Sequence, residues 1–384
     1  MHRDILPSVI FSPAQLALSL ANGLQSRGVD VTLFSPGPID TTATNHIADL
    51  TLFEQELAGR GDSYIDLLKK HPFTFITLAR QVQSELISQA YAAANAGRLD
   101  IVHIYTNEED TALPFAALCQ KPVVFTHHDP FNFLVRYKSL FPKYPQLNWL
   151  SMSYAQRRTM PAGTNWVGNV YHGLSDAALK PATHPAADYV AYLGRLIEPK
   201  GAHLAIAAVQ AYNRSHPDAP LKLRLAGKHY AGHKKDSYWQ DHIEPLIDGK
   251  TIEYVGFIDS STAKQEFLAN ARAVLVPSLF EEPFGMVSIE ALACGTPVIG
   301  LDSGAIPEVV EDHKVGRIVQ KVHNSDGTVD ENATAIALAE AITGMVRIDR
   351  AACRQAYETR FTAERMCADH LVIYQQLTQL PDRS

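Results

Sequence analysis

At 384 residues the chain is too long for one ordinary hydrophobic core and suits two domains. Hydrophobic residues make up 46% and charged residues 20%, an ordinary soluble globular balance, and a formal net charge of -7 argues against a protein that wraps nucleic acid. No apolar run reaches the ~18 residues a bilayer span needs, the N-terminus does not read as a secretory signal, and Cys119, Cys294, Cys353 and Cys367 are too scattered for a metal motif, so reduced thiols in a cytoplasmic protein are the simplest reading.

The first helix signal is Ser12-Pro13-Ala14-Gln15, with Ser12 placed to cap, Pro13 at the first helical position and Gln15 where a capping box wants it. Leu16, Leu20 and Leu24 continue at helical spacing, Gly28 ends the element, and Val29 to Phe34 reads as a strand. Residues 63–97 are largely helical with a break near Pro72. Strands follow at 100–105 and 123–126, separated by a short helix over 111–119, and two more short strands are expected at 148–153 and 164–170. After the prolines at 181–185 the pattern restarts. Strands at 189–193, 221–226, 252–254, 273–276 and 297–300 alternate with helices at 203–215, 238–247, 262–271 and 286–293. Strand-helix alternation builds right-handed βαβ units and parallel sheets. The prediction is an α/β chain of two Rossmann-like domains.

The strongest chemical signal is Glu281-Glu282-Pro283-Phe284-Gly285-Met286-Val287-Ser288-Ile289-Glu290. A loop with two carboxylates and a glycine leaves a strand and opens a helix. Free amides at a helix start attract an anion, a glycine admits close approach to the backbone, and the carboxyl end of a parallel strand is where open α/β sheets bind ligands. Glu282 is then placed near a sugar, and Glu290, further into the helix, can accept from ribose hydroxyls. The bland alternative is a solvated loop acid and a helix-surface charge, but Glu290 sits among Val287, Ile289, Ala291, Leu292 and Ala293, where an acid usually marks the rim of something. The second signal is Gly194-Arg195-Leu196 with Lys200-Gly201. Gly194 allows a tight turn at a strand end, and Arg195 and Lys200 can converge on one diphosphate.

Together these segments resemble the retaining glycosyltransferases of family 4 with the GT-B fold, and Asp302 to Glu308 matches the turn that follows. The likeness is specific over about residues 186 to 320. It implies two Rossmann-like domains facing across a cleft: an acceptor domain over residues 1–172, a nucleotide-sugar donor domain over 173–360, and a C-terminal helix over 361–384 returning toward the first. It implies diphosphate contacts from Gly194, Arg195 and Lys200, ribose contact from Glu290, and donor-sugar contact from Glu282 and the backbone amides of Phe284, Gly285, Met286 and Val287. The loop with Phe257 and Ile258 would line the base. His128, rather than His127, fits the strand-end histidine that faces the donor sugar in this family, and Tyr171-His172-Gly173-Leu174 resembles its interdomain turn, where structure rather than catalysis is expected. A metal reading of His127-His128-Asp129 ranks last, since adjacent strand-end residues point opposite ways. No catalytic metal or other cofactor is implied; cations and helix amides would stabilise the leaving group.

The expected activity is transfer of a hexose from a nucleoside diphosphate sugar to an acceptor hydroxyl with retention, by front-face displacement within an ion pair. A UDP-glucose-like donor is the first guess and GDP-mannose the second, on family frequency. The acceptor is open, as is a peripheral membrane contact; Tyr137, Lys138, Phe141, Lys143 and Tyr144 are candidates for either. The basic loop of Lys228, His229, His233, Lys234 and Lys235 reads as solvated. Family members begin with a strand and a glycine-rich loop before the first helix, whereas Met1 to Phe11 contains no glycine and offers at most a short strand at Leu6 to Phe11. The expectation is an N-terminally shortened chain with an incomplete acceptor side. A nucleotide-sugar-binding protein with impaired turnover, or an epimerase or phosphorylase of the same architecture, are the alternatives.

Overall fold

A computed structural model describes residues 12–105, 109–175, 179–186, 188–229 and 237–379. The expected strand at Leu6 to Phe11 and the loop residues His233, Lys234 and Lys235 lie outside the described residues, as does the side chain of Ser12 with its expected cap. The chain divides into two compact units. One comprises Met1–Met152, Arg157–Tyr171 and Ala363–Ser384, the other Ser153–Gln156 and His172–Thr362.

In the first unit the elements run α1 (Ser12–Gln25), β1 (Thr32–Ser35), β2 (Thr44–Ile47), α2 (Thr51–Arg60), α3 (Tyr64–Lys70), α4 (Pro72–Asn95), β3 (Val102–Ile104), α5 (Glu109–Ala112), β4 (Val123–Phe125), α6 (Val135–Leu140), β5 (Asn148–Ser151), α7 (Tyr154–Thr159), whose residues up to Gln156 count with the second unit, and β6 (Trp166–Asn169). The break expected near Pro72 is real. α3 starts on a capping box in which the Ser63 hydroxyl accepts from the Asp66 amide at 3.1 Å and the Ser63 amide donates to the Asp66 carboxylate at 3.2 Å. Pro72 then opens α4 at its first position, where the missing N–H costs nothing. α4 buries Val82, Leu86, Ile87, Ala90, Tyr91 and Ala94, a stripe at helical spacing. β3, β4, β5 and β6 form a parallel four-stranded sheet in sequence order, while β1 and β2 form a separate parallel pair. The helix expected over 111–119 is shorter: α5 gives way to a 3-10 segment at Leu113–Leu118, where Pro114 interrupts the α-helical ladder.

The second unit runs β7 (Tyr189–Leu193), α8 (Ala202–Ser215), β8 (Lys222–Ala226), β9 (Ile252–Gly256), α9 (Ser261–Ala269), β10 (Ala273–Val276), α10 (Met286–Ala293), β11 (Val298–Leu301), α11 (Ile306–Val309), β12 (Gly316–Val319), α12 (Glu331–Gly344) and α13 (Arg350–Arg360). The final helix, α14 (Ala363–Thr378), belongs to the first unit. Residues 238–247 do not form the regular helix expected. A π-helical turn at Trp239–Ile243 passes into a 3-10 turn at Glu244–Leu246, because Pro245 cannot donate to a continuing ladder.

The six strands of this unit are all parallel and lie in the order β12-β11-β10-β7-β8-β9. Counting from β7, this is the doubly wound order 3-2-1-4-5-6, with its reversal point between β7 and β10. Both strands are apolar without alternation, Val190, Ala191, Ala273 and Val274 being fully buried, as a sheet covered on both faces requires. Each such valine contributes about 1.5–3 kcal/mol by burial. α8 and α12 pack together over one face, burying Leu204, Ala205, Ile206, Leu338 and Ile342. A doubly wound sheet leaves a crevice at the carboxyl ends of the two strands flanking its reversal point. No described helix is long and apolar enough to cross a membrane.

Candidate functional site

The chain leaving β7 turns at Gly194, whose amide donates to Ala226 O at 3.0 Å, and enters a 3-10 turn at Glu198–Lys200. The chain leaving β10 passes Ser278 and Glu282 before α10 begins. These two loops interlock. Leu279 N donates to Pro199 O at 2.9 Å. Gly201, at φ +70, lies so close to the second loop that a Cβ there would stand 2.0 Å from Pro277 O. Only glycine fits that position, so the start of α8 and the end of β10 are locked together by sterics.

Across this lock Lys200 and Glu282 meet. Lys200 Nζ donates to Glu282 Oε1 at 2.5 Å, and the Ser278 hydroxyl donates to the same oxygen at 2.6 Å. Glu282 is only 5% exposed, so it is not the solvated loop acid of the bland reading. Both bonds fall on Oε1, so among the described residues Oε2 is the oxygen left to face a ligand. Lys200 also lies 4.9 Å from the centroid of the Phe280 ring, a cation-π contact. Glu282's backbone is clamped as well: its carbonyl accepts from Ala305 N at 2.9 Å, and Gly304, at φ +58, packs so tightly that a Cβ would sit 2.2 Å from Glu282 O. Glu281 accepts from Gly304 N at 2.9 Å and faces Lys321 at 3.7 Å.

Arg195 is exposed at the end of β7. The structure ties Arg195 and Lys200 through their backbones. Tyr192, 2% exposed, directs its hydroxyl at Arg195 O (3.0 Å) and Lys200 O (3.5 Å). Burial drives that phenol's pKa well above its ordinary value, so it remains a donor.

Gly285 is the N-cap of α10 and stands in the left-handed region; Met286 and Val287 are half-buried in the first turn. The Phe284 side chain is turned inward, 3% exposed, edge-on to His172 at 4.8 Å and near Phe361 at 6.2 Å. Any contact from Phe284 to a ligand is therefore through its backbone, and its ring and that of His172, buried at 3%, are packing. Glu290 is paired with Lys264 of α9 at 2.8 Å, with its side chain 13% exposed. Phe257 is exposed and lies under the Lys228 ammonium at 4.2 Å, with Ile258 beside it half-buried. His229, expected in a solvated loop, stacks on Trp239 at 4.1 Å.

His128 lies in the other unit, half-buried at the carboxyl end of β4, its ring edge-on to Tyr105 at 4.5 Å. Its neighbour His127 points into the core, 1% exposed between Tyr137 and Phe141, with Nδ1 3.3 Å from Glu109. Burial pulls the His127 pKa down to about 4, so this ring is neutral at physiological pH. Tyr137 and Phe141 are core residues, at 0% and 1% exposure, which removes both side chains from an acceptor surface.

Sequence reasoning missed four parts of this arrangement. Ser278 and Tyr192 brace Glu282 and Lys200, Lys264 pairs Glu290, and Glu308 receives the amides of Tyr154 (2.8 Å) and Ala155 at the start of α7. Ser278 follows directly on a buried strand end, a placement that could have flagged it. Lys264 lies 26 residues from its partner and carries no motif.

Residues 180–352 match the family described as Glycosyl transferases group 1, and residues 14–169 match Glycosyltransferase Family 4. The chain belongs to the group 1 glycosyltransferases. Among curated relatives of this family, a glycogen synthase of Mycobacterium tuberculosis is 35% identical over 147 residues, 36% of this chain and 31% of the relative. The match spans only about a third of the length of the first curated relatives. Among solved structures, Anabaena Alr3699/HepE in complex with UDP and glucose superposes at a TM-score of 0.65 with 16% identity, over 96% of each chain. AviGT4, a glycosyltransferase involved in avilamycin A biosynthesis, gives 0.64 with 19% identity, over 96% of this chain and 90% of that one. These likenesses carry the fold, which is GT-B.

Proposed function

We propose that this group 1 glycosyltransferase moves a hexose from a nucleoside diphosphate sugar to an acceptor hydroxyl, with retention at the anomeric carbon and without a catalytic metal. The observation that carries the reading is the meeting of Lys200 and Glu282, 82 residues apart in sequence and 2.5 Å apart in space, at the reversal point of a doubly wound sheet. Arg195 adds a second cation at the end of β7. Charge of this kind beside a buried carboxylate suits a diphosphate joined to a polyhydroxylated sugar. Glu282 Oε2 would accept from sugar hydroxyls, Glu290 from the ribose, and the amides of Phe284, Gly285, Met286 and Val287 would meet sugar and phosphate. The loop at Phe257 and Ile258 would line the base, and His128 would face the donor sugar. As the glycosidic bond to the diphosphate breaks, the cations stabilise the departing oxygen. The acceptor oxygen then bonds to the anomeric carbon on the face the phosphate has left and gives its proton to that phosphate.

A uridine donor carrying glucose is favoured over GDP-mannose because a fold neighbour was solved with UDP and glucose. Four free cysteines fit a reducing, cytoplasmic setting. The test is a thermal-shift screen of UDP-, GDP- and ADP-sugars, followed by transfer assays with the best donor in the presence of chelator. Lys200→Ala and Glu282→Ala, each checked for native circular dichroism, are expected to abolish transfer; unchanged turnover in either refutes the assignment. NMR of the product reads the anomeric configuration, and an inverted product refutes retention. Donor binding by calorimetry without transfer to any acceptor favours a binding protein instead.

A further inference from the structure

We propose that Lys264 is a positioning residue for the donor's ribose, holding the Glu290 side chain turned so that its carboxylate accepts the two ribose hydroxyls. The inference rests on the assignment of Glu290 to ribose made above.

Glu290 lies on α10 with Ile289, Ala291 and Leu292 around it, all fully buried. A carboxylate offers about four lone-pair sites on its two oxygens, enough for one lysine and a pair of hydroxyls. Lys264 Nζ stands 2.8 Å from Glu290 Oε1. Among the described residues it is the one cation within ion-pair distance of Glu290. Its own pKa is raised, chiefly by Glu290, so the lysine is charged at neutral pH. Cys294, one turn along α10, is a neutral thiol there, with its pKa raised to about 12 by burial.

Lys264 uses one lone pair of Oε1. The other lone pair of Oε1, and Oε2, are the acceptors that remain for two hydroxyls on adjacent carbons. α9 is a firm base for this. Ser260 caps it by accepting from Ala263 N at 3.2 Å, and Phe267, Leu268 and Ala269 anchor its far end in the core. α9 also follows directly on the Gly256-Phe257-Ile258 loop. One short segment therefore carries both the expected base contact and the group that orients the ribose acceptor.

The experiment measures Kd by calorimetry for UDP, GDP and ADP and for the 2′,3′-dideoxy form of whichever binds best. The readout is the ratio of dideoxy to natural Kd, which isolates the ribose hydroxyls. A charge-assisted hydrogen bond is worth about tenfold or more in affinity, so the wild-type ratio is expected above about tenfold. Lys264→Met is expected to lower the ratio at least about fivefold on the same scale, with dideoxy binding unchanged. Lys264→Arg is expected to restore most of it. If Lys264→Met does not fold, Lys264→Gln, polar but uncharged, is expected to show the same fall. A ratio that collapses in Glu290→Gln yet keeps its wild-type value in Lys264→Met overturns the inference and leaves the ribose assignment standing. A ratio that survives Glu290→Gln overturns the assignment and the inference with it. Proportional weakening of both nucleotides by Lys264→Met shows a structural role and also overturns the inference.

Discussion

Replacing Lys200 by methionine separates what the Lys200–Glu282 pair does for stability from what it does for chemistry. The substitution keeps the length and apolar stem but removes the charge, leaving Glu282 with the Ser278 hydroxyl at 2.6 Å. Breaking a fully buried pair costs about 3–5 kcal/mol, and an exposed one about 0–1. Here the carboxylate side chain is 6% exposed and the lysine 22%, so an intermediate cost of about 2 kcal/mol is expected. In a unit of this size, 2 kcal/mol lowers the melting temperature by about 4–8 °C. Calorimetric melting of the wild type, Lys200→Met and Lys200→Met/Glu282→Gln at pH 7 tests this. The double variant should regain most of the lost stability at pH 7, because a neutral amide needs no counter-ion, and neither variant should transfer sugar. A double variant no more stable than the single one refutes the uncompensated carboxylate as the source of the loss.

Gly304→Ala places a methyl 2.2 Å from Glu282 O at a backbone φ of +58. It should cost about 2 kcal/mol or more and displace Glu282, lowering transfer beyond the loss of folded protein; wild-type melting and turnover would contradict the clamp. His127 and His370 are both buried with pKa values pulled down to about 4. The unfolded chain binds their protons near pH 6.5 and the folded one does not, so their contribution is complete above about pH 6.5 and is lost as pH falls toward 4, by about 2 kcal/mol each at pH 5. Urea midpoints at pH 7.5 and 5.0 check this; an unmoved midpoint rejects it. Cys294 and Cys353 are fully buried with pKa values raised to about 12, and Cys367 is buried as well, while Cys119 is only half-buried. A thiol reagent at pH 8 should label Cys119 first and the others only on unfolding, read by peptide mapping; early labelling of Cys294 would contradict that packing.

The second unit was legible because its signals were local. α10 runs over Met286–Ala293 as expected, since Gly285 and the apolar run that follows fix both ends, and β7 and β10 are apolar on both faces. β2 was not legible. Its four residues TNHI are mostly exposed and carry no alternation, so pairing with β1 alone makes them a strand. At the site, the acids and cations announced themselves through spacing and residue type. The strand order that brings Lys200 to Glu282 is a property of the whole sheet, and no window of sequence contains it. The inward turn of Phe284 depends on His172 and Phe361, each far away in the chain.

The division of the chain has a consequence for its synthesis. α14 packs on α1 within the first unit; Arg27 donates to Glu364 O at 2.8 Å, and Tyr374 Oη meets His103 Nδ1 at 2.5 Å on β3. The second unit, apart from four residues, is one continuous stretch. About 190 residues separate Tyr171 from Ala363, so at 5–20 residues per second the ribosome needs about 10–40 s to deliver the missing helix. Throughout that interval the surface awaiting α14 is bare, on a unit whose strands have already emerged. The half of the protein made first is thus the half completed last, and its nascent form is the stage at which a chaperone has most to cover.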